Sequence, residues 1–407
     1  SFARAHLSRP PLAALGKSIL SGSVPHKPGL LRALGRRAVA APDDAAVVLV
    51  GTRFTPVAEH PDDPPVLYVV VDTEADINWR QQPSTQTPVS VGVTSAPARA
   101  QTLFDSYGLR PIYVVDYPTA AQPERYESLR RILDSRRCAI GAHLHPRINP
   151  PLEEPLTERN SYAGNLTAGL EERKLRRLVQ AVEHAFGVKP LFFKASRHGV
   201  GPNTYAILQQ LGFAVDFSIP ALADLRACGG PDFRLAQARP YRAGPTGPLA
   251  LPVTRAEFGL LTPLPLGVRA ALQSGIAEQL RLPAVCSRLG LVSTVTLAPD
   301  GVTARELVEL LRRMARRGQR TFVLHLHRPS LVPGHTHRVR AETEGQLLKR
   351  LEQVCDFFFE RLGGLPGNPA DLLPSRARQQ LWATEGARQV VESGGASAIA
   401  PPARMAV

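Results

Sequence analysis

"VLYVVVDTEADINW", residues 66–79, decides how the chain is read. Its first six residues are apolar and rich in β-branched side chains, and "DDPP" precedes them, the pattern of a short buried strand. The strand runs into Asp72 and Glu74 rather than into the small residues of an ordinary turn. Residues two apart on an extended chain share a face, so both carboxylates are expected on one side. Working outward, "PIYVV" (111–115), "CAIGA" (138–142), "LFFKA" (191–195), "AVDFSI" (214–219), "LVSTVTL" (291–297) and "TFVLHL" (321–326) also read as strands. Helical patterns alternate with them at about 97–108, 123–136, 171–186, 202–213, 303–317 and 342–362. In 171–186 the apolar positions 175, 178, 179, 182 and 186 keep close to a 3.6-residue period, and Gly187 suits the helix end.

Alternating strands and helices over some 300 residues imply a mostly parallel sheet covered by helices. About seven or eight strands is the number at which such a sheet curls into a barrel. The expected fold is therefore α/β, a distorted (β/α) barrel of about seven or eight strands spanning 61–365. Residues 1–60 are expected to be a basic, flexible N-terminal arm, and 366–407 a Gly/Ala/Ser/Pro-rich flexible tail. The Pro- and Gly-rich segments 145–170 and 220–290 read as loops over one mouth.

Charge is unevenly placed. Residues 1–42 hold seven Lys/Arg and no Asp or Glu, so half of the formal net charge of +14 lies in the first tenth of the 407 residues. The pI of about 10.2 invites a nucleic-acid reading, but no recognisable nucleic-acid module accompanies it. Weak, salt-sensitive, sequence-independent binding is all that such charge implies. No run approaches the roughly 18 apolar residues of a membrane span, and no clear secretory signal is seen. A cytoplasmic location, or one peripheral to a membrane, is expected. The four cysteines, Cys138, Cys228, Cys286 and Cys355, lie far apart without CxxC spacing, which argues against a disulfide scaffold or structural zinc. The oligomeric state is left open.

In a parallel barrel, functional groups gather at the C-terminal ends of strands. There the chain has Asp72 and Glu74, then Asp116, then His143 and His145 in "GAHLHPRINPP", then Lys194 with Arg197 beyond, then His325 and His327. Each alone has a plain structural alternative: a capping carboxylate, a loop-entrance histidine, a snorkelling lysine. Their recurrence at successive strand ends points to a metal site of two histidines and one carboxylate, with a second acid–base pair beside it. Neutral imidazole and carboxylate oxygen are ligands preferred by zinc and its neighbours.

With these residues in view, the chain resembles the polysaccharide deacetylase (NodB-homology) superfamily, and within it the WalW-type branch associated with bacterial surface polysaccharides. The likeness runs from about residue 66 to 361. It includes "VDTEADINW", "YVVDYPTA", "GAHLHPRINPP", "SYAGNL", "FKASRHGVGPNTYAILQQLGF", "DFSIPALADL", "GGPDF" and "HRPSLVPGHTHRVR". The resemblance implies removal of an N-acetyl, or O-acetyl, group from a polysaccharide or oligosaccharide, with one divalent metal ion, Zn²⁺ first among the choices. It implies Asp72 as general base, Glu74, His143 and His145 as metal ligands, and His327 as general acid. Where the family has a histidine four residues after the first, this chain has Arg147, so His145 takes that part. The family's "FRAGRYG" reads "FKASRHG" here, and Lys194 or Arg197 would orient Asp72. Trp79, Asp116, Tyr117 and Tyr162 are candidates to line a sugar groove. His325 receives no role from the resemblance.

Two rivals stand beside this reading. A barrel that binds glycan without hydrolysing it is suggested by Lys194 and Ser196 in the altered motif. A metal-dependent amidohydrolase of another family also uses HxH, but there HxH ends the first strand; here the DxE pair comes first.

Overall fold

The structure, a computed structural model, describes residues 46–75, 96–258, 293–327 and 344–382, all within one compact unit. The strands are β1 (Val47–Leu49), β2 (Thr52–Pro56), β3 (Val66–Thr73), β4 (Ile112–Val115), β5 (Ala139–Leu144), β6 (Phe192–Ala195), β7 (Val215–Asp216), β8 (Tyr241–Ala243), β9 (Leu249–Ala250), β10 (Arg255–Phe258), β11 (Ser293–Thr296), β12 (Thr321–His327) and β13 (Leu365–Pro366). The principal helices are α1 (Ala96–Ser106), α2 (Tyr117–Ala120), α3 (Pro123–Asp134), α4 (Ala168–Phe186), α5 (Thr204–Leu211), α6 (Ala304–Arg316) and α7 (Glu344–Asp356). Mixed α/β architecture is as expected.

The sheet runs in the order β1-β2-β8-β9-β7-β6-β5-β4-β3-β12, and its segment from β9 to β12 is parallel throughout. No ladder joins β9 to β12 among the described residues, so the barrel is not closed by continuous pairing. Instead the chain beyond β9 follows β7, with Leu251 N donating to Asp216 O (2.8 Å) and Val253 N to Ile219 O (3.0 Å). It then crosses to β12, where Thr254 N donates to Val323 O (3.3 Å) and Thr254 Oγ1 accepts from Val323 N (2.9 Å). One buried threonine thus spans the gap with its backbone and side chain.

The strands are apolar on both faces because both are covered. One cluster gathers Val70, Ile112, Val114, Ala139, Phe192, Val215, Phe217, Leu249, Leu251 and Val323. Leu373 and Leu381 belong to this same cluster, with Ala370, Leu372, Ala377 and Trp382 packed against it. The other cluster includes Val69, Val71, Tyr113 and Ile140 with helix residues such as Phe104, Leu133, Leu178, Val182 and Leu310.

Two boundaries of the expected domain shift as a result. Residues 47–56, placed in the arm, form the hairpin β1–β2, which joins the sheet through β8. Val50 and Gly51 both have positive φ (46° and 78°), the signature of a tight type I′ turn. Residues 366–382, placed in the tail, pack onto the sheet: β13 pairs with the start of β3, and Leu373 and Leu381 are each 3 % exposed. Their apolar side chains, not their Gly and Pro content, decide the matter. The rest of the expected arm and tail, residues 1–45 and 383–407, lies outside the described residues. No helix among the described residues is long and apolar enough to cross a membrane.

Candidate functional site

Parallel register brings the candidate residues to one end of the sheet. His327 on β12 is in register with Asp72 on β3, and His143 on β5 is in register with Lys194 on β6. Glu74 follows β3 directly and His145 follows β5. Alternation then gives His325, two residues before His327, the same side of β12.

Two groups of side chains form. In the first, His145 Nε2 lies 3.0 Å from His143 Nε2 and 2.7 Å from Glu74 Oε2. His143 Nδ1 is 3.0 Å from Lys194 O, a carbonyl that can only accept, so the proton sits on Nδ1 and the Nε2 lone pair faces His145. The ring atoms and the carboxylate oxygen thus converge on one point. In a tetrahedral zinc site with Zn–N bonds of about 2.0–2.1 Å, neighbouring ligand atoms lie about 3.3 Å apart. The donor set and its spacing fit a divalent ion with little movement, and these three residues form one group able to hold a metal.

The second group is built on one oxygen of Asp72. Lys194 Nζ donates to Asp72 Oδ2 at 2.5 Å, and His325 Nε2 lies 2.8 Å from the same oxygen. His327 Nε2 is 3.5 Å and His143 Nε2 3.9 Å from it. Asp72 Oδ1 is buried with no hydrogen-bond partner among the described residues. Asp72, His325 and His327 also lie close enough together to form a metal-holding group.

Burial pushes the Asp72 carboxyl up, but His325, Lys194 and His143 outweigh it and hold the group well below the usual carboxylate range. Burial raises Glu74 too, and His145, with help from His143 and His327, brings it down to about 2. Burial drives His143 down to about 3 and His325 down to about 4, in each case against the pull of Asp72. Burial pulls His327 down as well, but Asp300, Asp72 and Glu74 outweigh it and hold the ring above its ordinary value. The site thus combines two neutral imidazoles, two ionised carboxylates and one histidine that favours its proton.

The other expected residues fall elsewhere. Arg197 does not reach Asp72: it has a positive φ of 54° and donates to Ser161 Oγ (2.6 Å), Glu158 Oε1 (2.6 Å) and Tyr162 Oη (3.1 Å). Its guanidinium lies 4.5 Å above the Tyr162 ring, so it fastens the 158–162 loop to the exit of β6. Lys194 alone makes the contact to Asp72 that either was expected to make. Tyr162 is 3 % exposed beneath Arg197 and offers no open face to a sugar. Asp116 is fully buried and caps α2, Oδ1 accepting from Thr119 N and Oδ2 from Ala75 N, both at 2.9 Å. It fixes the backbone just after Glu74 and faces no groove. Tyr117 is half-buried in the first turn of α2, packed against the core. Trp79 lies outside the described residues, as does the chain after His327 up to 343.

Three features of the site's frame were missed. Lys174 on α4 is wholly buried, and its Nζ donates to Pro146 O (2.9 Å), Asn149 O (2.7 Å) and Pro151 O (2.6 Å) while pairing with Glu154 (3.0 Å). It organises the turn that follows His145. The sign was present: positions 171 and 174 continue the buried face marked by 175, 178 and 182. Gly164 and Gly201 form a second device, for a Cβ at Gly164 would lie 2.1 Å from Gly201 N. Only glycine lets these loops meet, with Gly164 N donating to Gly199 O at 2.7 Å. The third is the role of His325, noted at its strand end but left unassigned, which has its place against Asp72.

No protein-family model matches the chain, and no curated protein matches it. Among solved structures, it is similar to a protein of Mycobacterium smegmatis assigned as a polysaccharide deacetylase, with 18% identity, covering 87% of this chain and 99% of that one, at a TM-score of 0.43. It is similar to a family 4 carbohydrate esterase from Streptomyces lividans, solved in complex with acetate, with 10% identity over 79% of this chain and 97% of that one, TM-score 0.37. It is also similar to a pseudoenzyme of the same esterase family from Bacillus anthracis, with 9% identity over 79% and 69% of the two chains, TM-score 0.38. At these TM-scores the likeness carries no weight in assigning roles, which rest on the geometry above. Solved structures that the chain is similar to thus include ones assigned as polysaccharide deacetylases and family 4 carbohydrate esterases.

Proposed function

We propose that the chain is a metal-dependent hydrolase that removes acetyl groups, N-acetyl foremost, from a polysaccharide or cell-surface glycan. The observation that carries this reading is the pairing of the two groups: a His143–His145–Glu74 donor set beside an Asp72 whose Oδ1 is buried and unpartnered. Glu74, His143 and His145 would hold the ion, with Zn²⁺ the first candidate. A divalent ion held there supplies Lewis acidity and eases the ionisation of water.

The chain's own residues do the rest. Asp72 takes the proton of the attacking water as the water oxygen bonds to the acetyl carbon. Lys194 keeps Asp72 ionised and aimed. When the carbon–nitrogen bond breaks, His327 gives its proton to the departing amine nitrogen. Its raised pKa suits it to arrive protonated near neutral pH. The products are acetate and a free amino sugar. Trp79 and the half-buried Tyr117 remain the proposed contacts to the sugar, and the WalW-type surface-polysaccharide role is the proposed setting.

Acetate release from a panel of N- and O-acetylated oligosaccharides, for wild type and for Asp72→Asn, tests the reading. Release by the wild type with a loss of at least about 100-fold in the variant supports it. Glycan binding without acetate from the metal-replete wild type would instead favour the non-hydrolytic barrel.

A further inference from the structure

His325 stands against Asp72 at this end of the sheet, yet the proposed reaction gives it no part. It is 4 % exposed, and its backbone N–H is held by Leu297 O at 2.9 Å, so the buried side chain springs from a fixed backbone. Its Nε2 is 2.8 Å from Asp72 Oδ2, and Lys194 Nζ approaches that same oxygen at 2.5 Å from a strand on the other side of β3. A carboxylate oxygen has two lone-pair directions. Two donors from two directions fill Oδ2, and among the described residues nothing is bonded to Oδ1. His327, at 3.5 Å, is too far to be a third donor.

We propose that His325 is a positioning residue: its Nε2–H and the Lys194 ammonium together occupy Asp72 Oδ2, which turns Oδ1 toward the substrate as the atom that accepts the proton. The inference rests on the hydrolytic reading above. It also accounts for how lysine serves where a guanidinium would grip both oxygens. Lysine is a point donor and holds one oxygen without fixing the plane of the carboxylate. A second donor on that oxygen, from a buried ring on a fixed strand, fixes the plane and leaves the other oxygen free. A second divalent cation shared by Asp72, His325 and His327 is the competing use of the same atoms. The Lys194 ammonium already on Oδ2 opposes it, since like charges a few ångströms apart in a buried site repel strongly.

The test compares wild type with His325→Leu, which keeps bulk and removes the donor, and His325→Gln, whose amide N–H reaches a similar position. His325→Leu is expected to lose about 10–100-fold in kcat with KM and metal content unchanged, and His325→Gln to recover most of the loss. Undiminished kcat in His325→Leu overturns the proposal. So does a fall from two metal ions per chain to one in that variant, the mark of a second cation site. A readout independent of turnover is the ¹⁵N-histidine spectrum of wild type, with the His325 signals identified by their absence from His325→Gln. The Nε2–H form supports the proposal and an unprotonated Nε2 refutes it. If the wild type releases no acetate from any substrate, the hydrolytic reading fails, and this spectrum still decides the hydrogen bond.

Discussion

Replacing Lys194 by Met separates charge from bulk at the centre of the site. Lys194 is 2 % and Asp72 1 % exposed, and their charged atoms lie 2.5 Å apart. Removing one partner of a buried ion pair strands the other charge in a poorly solvated place, which costs about 3–5 kcal/mol. In the wild type the Asp72 carboxyl is held well below its usual range. Its ionisation therefore contributes stability above the unfolded-state value near 3.9, and that contribution is lost only as pH falls through the depressed folded value. Without the ammonium, burial is less opposed and the carboxyl rises. The variant then folds best with Asp72 protonated, so its deficit is largest at pH 7.5 and shrinks toward pH 5. Urea unfolding in chelator at both pH values measures this. The double variant Lys194→Met/Asp72→Asn should recover part of the loss, since the stranded charge is gone. A deficit under about 1 kcal/mol at pH 7.5, or one equal at both pH values, would refute the reasoning.

Glu171, fully buried on α4 with Oε2 unpartnered, has its carboxyl raised by burial to about 7. A raised carboxyl favours the folded state below the unfolded pKa near 4.5, and this is lost as pH climbs through 7, about 3 kcal/mol in all. Glu171→Gln should flatten that fall, as seen in unfolding free energies between pH 4.5 and 8. Lys174→Met strips three carbonyls of the 146–151 turn of their donor. It should cost about 3 kcal/mol or more of stability and weaken metal binding roughly tenfold, read by urea unfolding and by competition with a chromogenic chelator. Leu381→Ala opens a hole beside the interior cluster of the sheet and should cost about 2–5 kcal/mol, whereas an unstructured tail would show no change in unfolding midpoint.

Much of this was legible from residue order. The buried strand at 66–71 extends to Thr73, and the DxE and HxH pairs stand at the same end of one sheet, on β3 and β5 with β4 between them, because period-two alternation and parallel register leave little freedom. What escaped depends on contacts between distant segments. Nothing local to "FKASRHG" says that Lys194 turns inward while Arg197 turns to Glu158 and Tyr162. Asp116 reads alike as a groove residue or a cap, and only Thr119 N and Ala75 N distinguish them. The segment 366–382 reads as a tail by composition, yet Leu373 and Leu381 find an apolar cavity that strands from across the chain create. The bridge from Thr254 to Val323 had no sequence mark, since one hydroxyl bond leaves no periodic pattern.

The central claim is that Glu74, His143 and His145 hold one catalytic metal ion. Metal content and acetate release, measured together on wild type and His143→Ala, test it most directly. The account predicts about one divalent ion per chain, with ion and activity lost together in the variant. Metal retained in His143→Ala, or acetate released at the wild-type rate by metal-free protein, would contradict it.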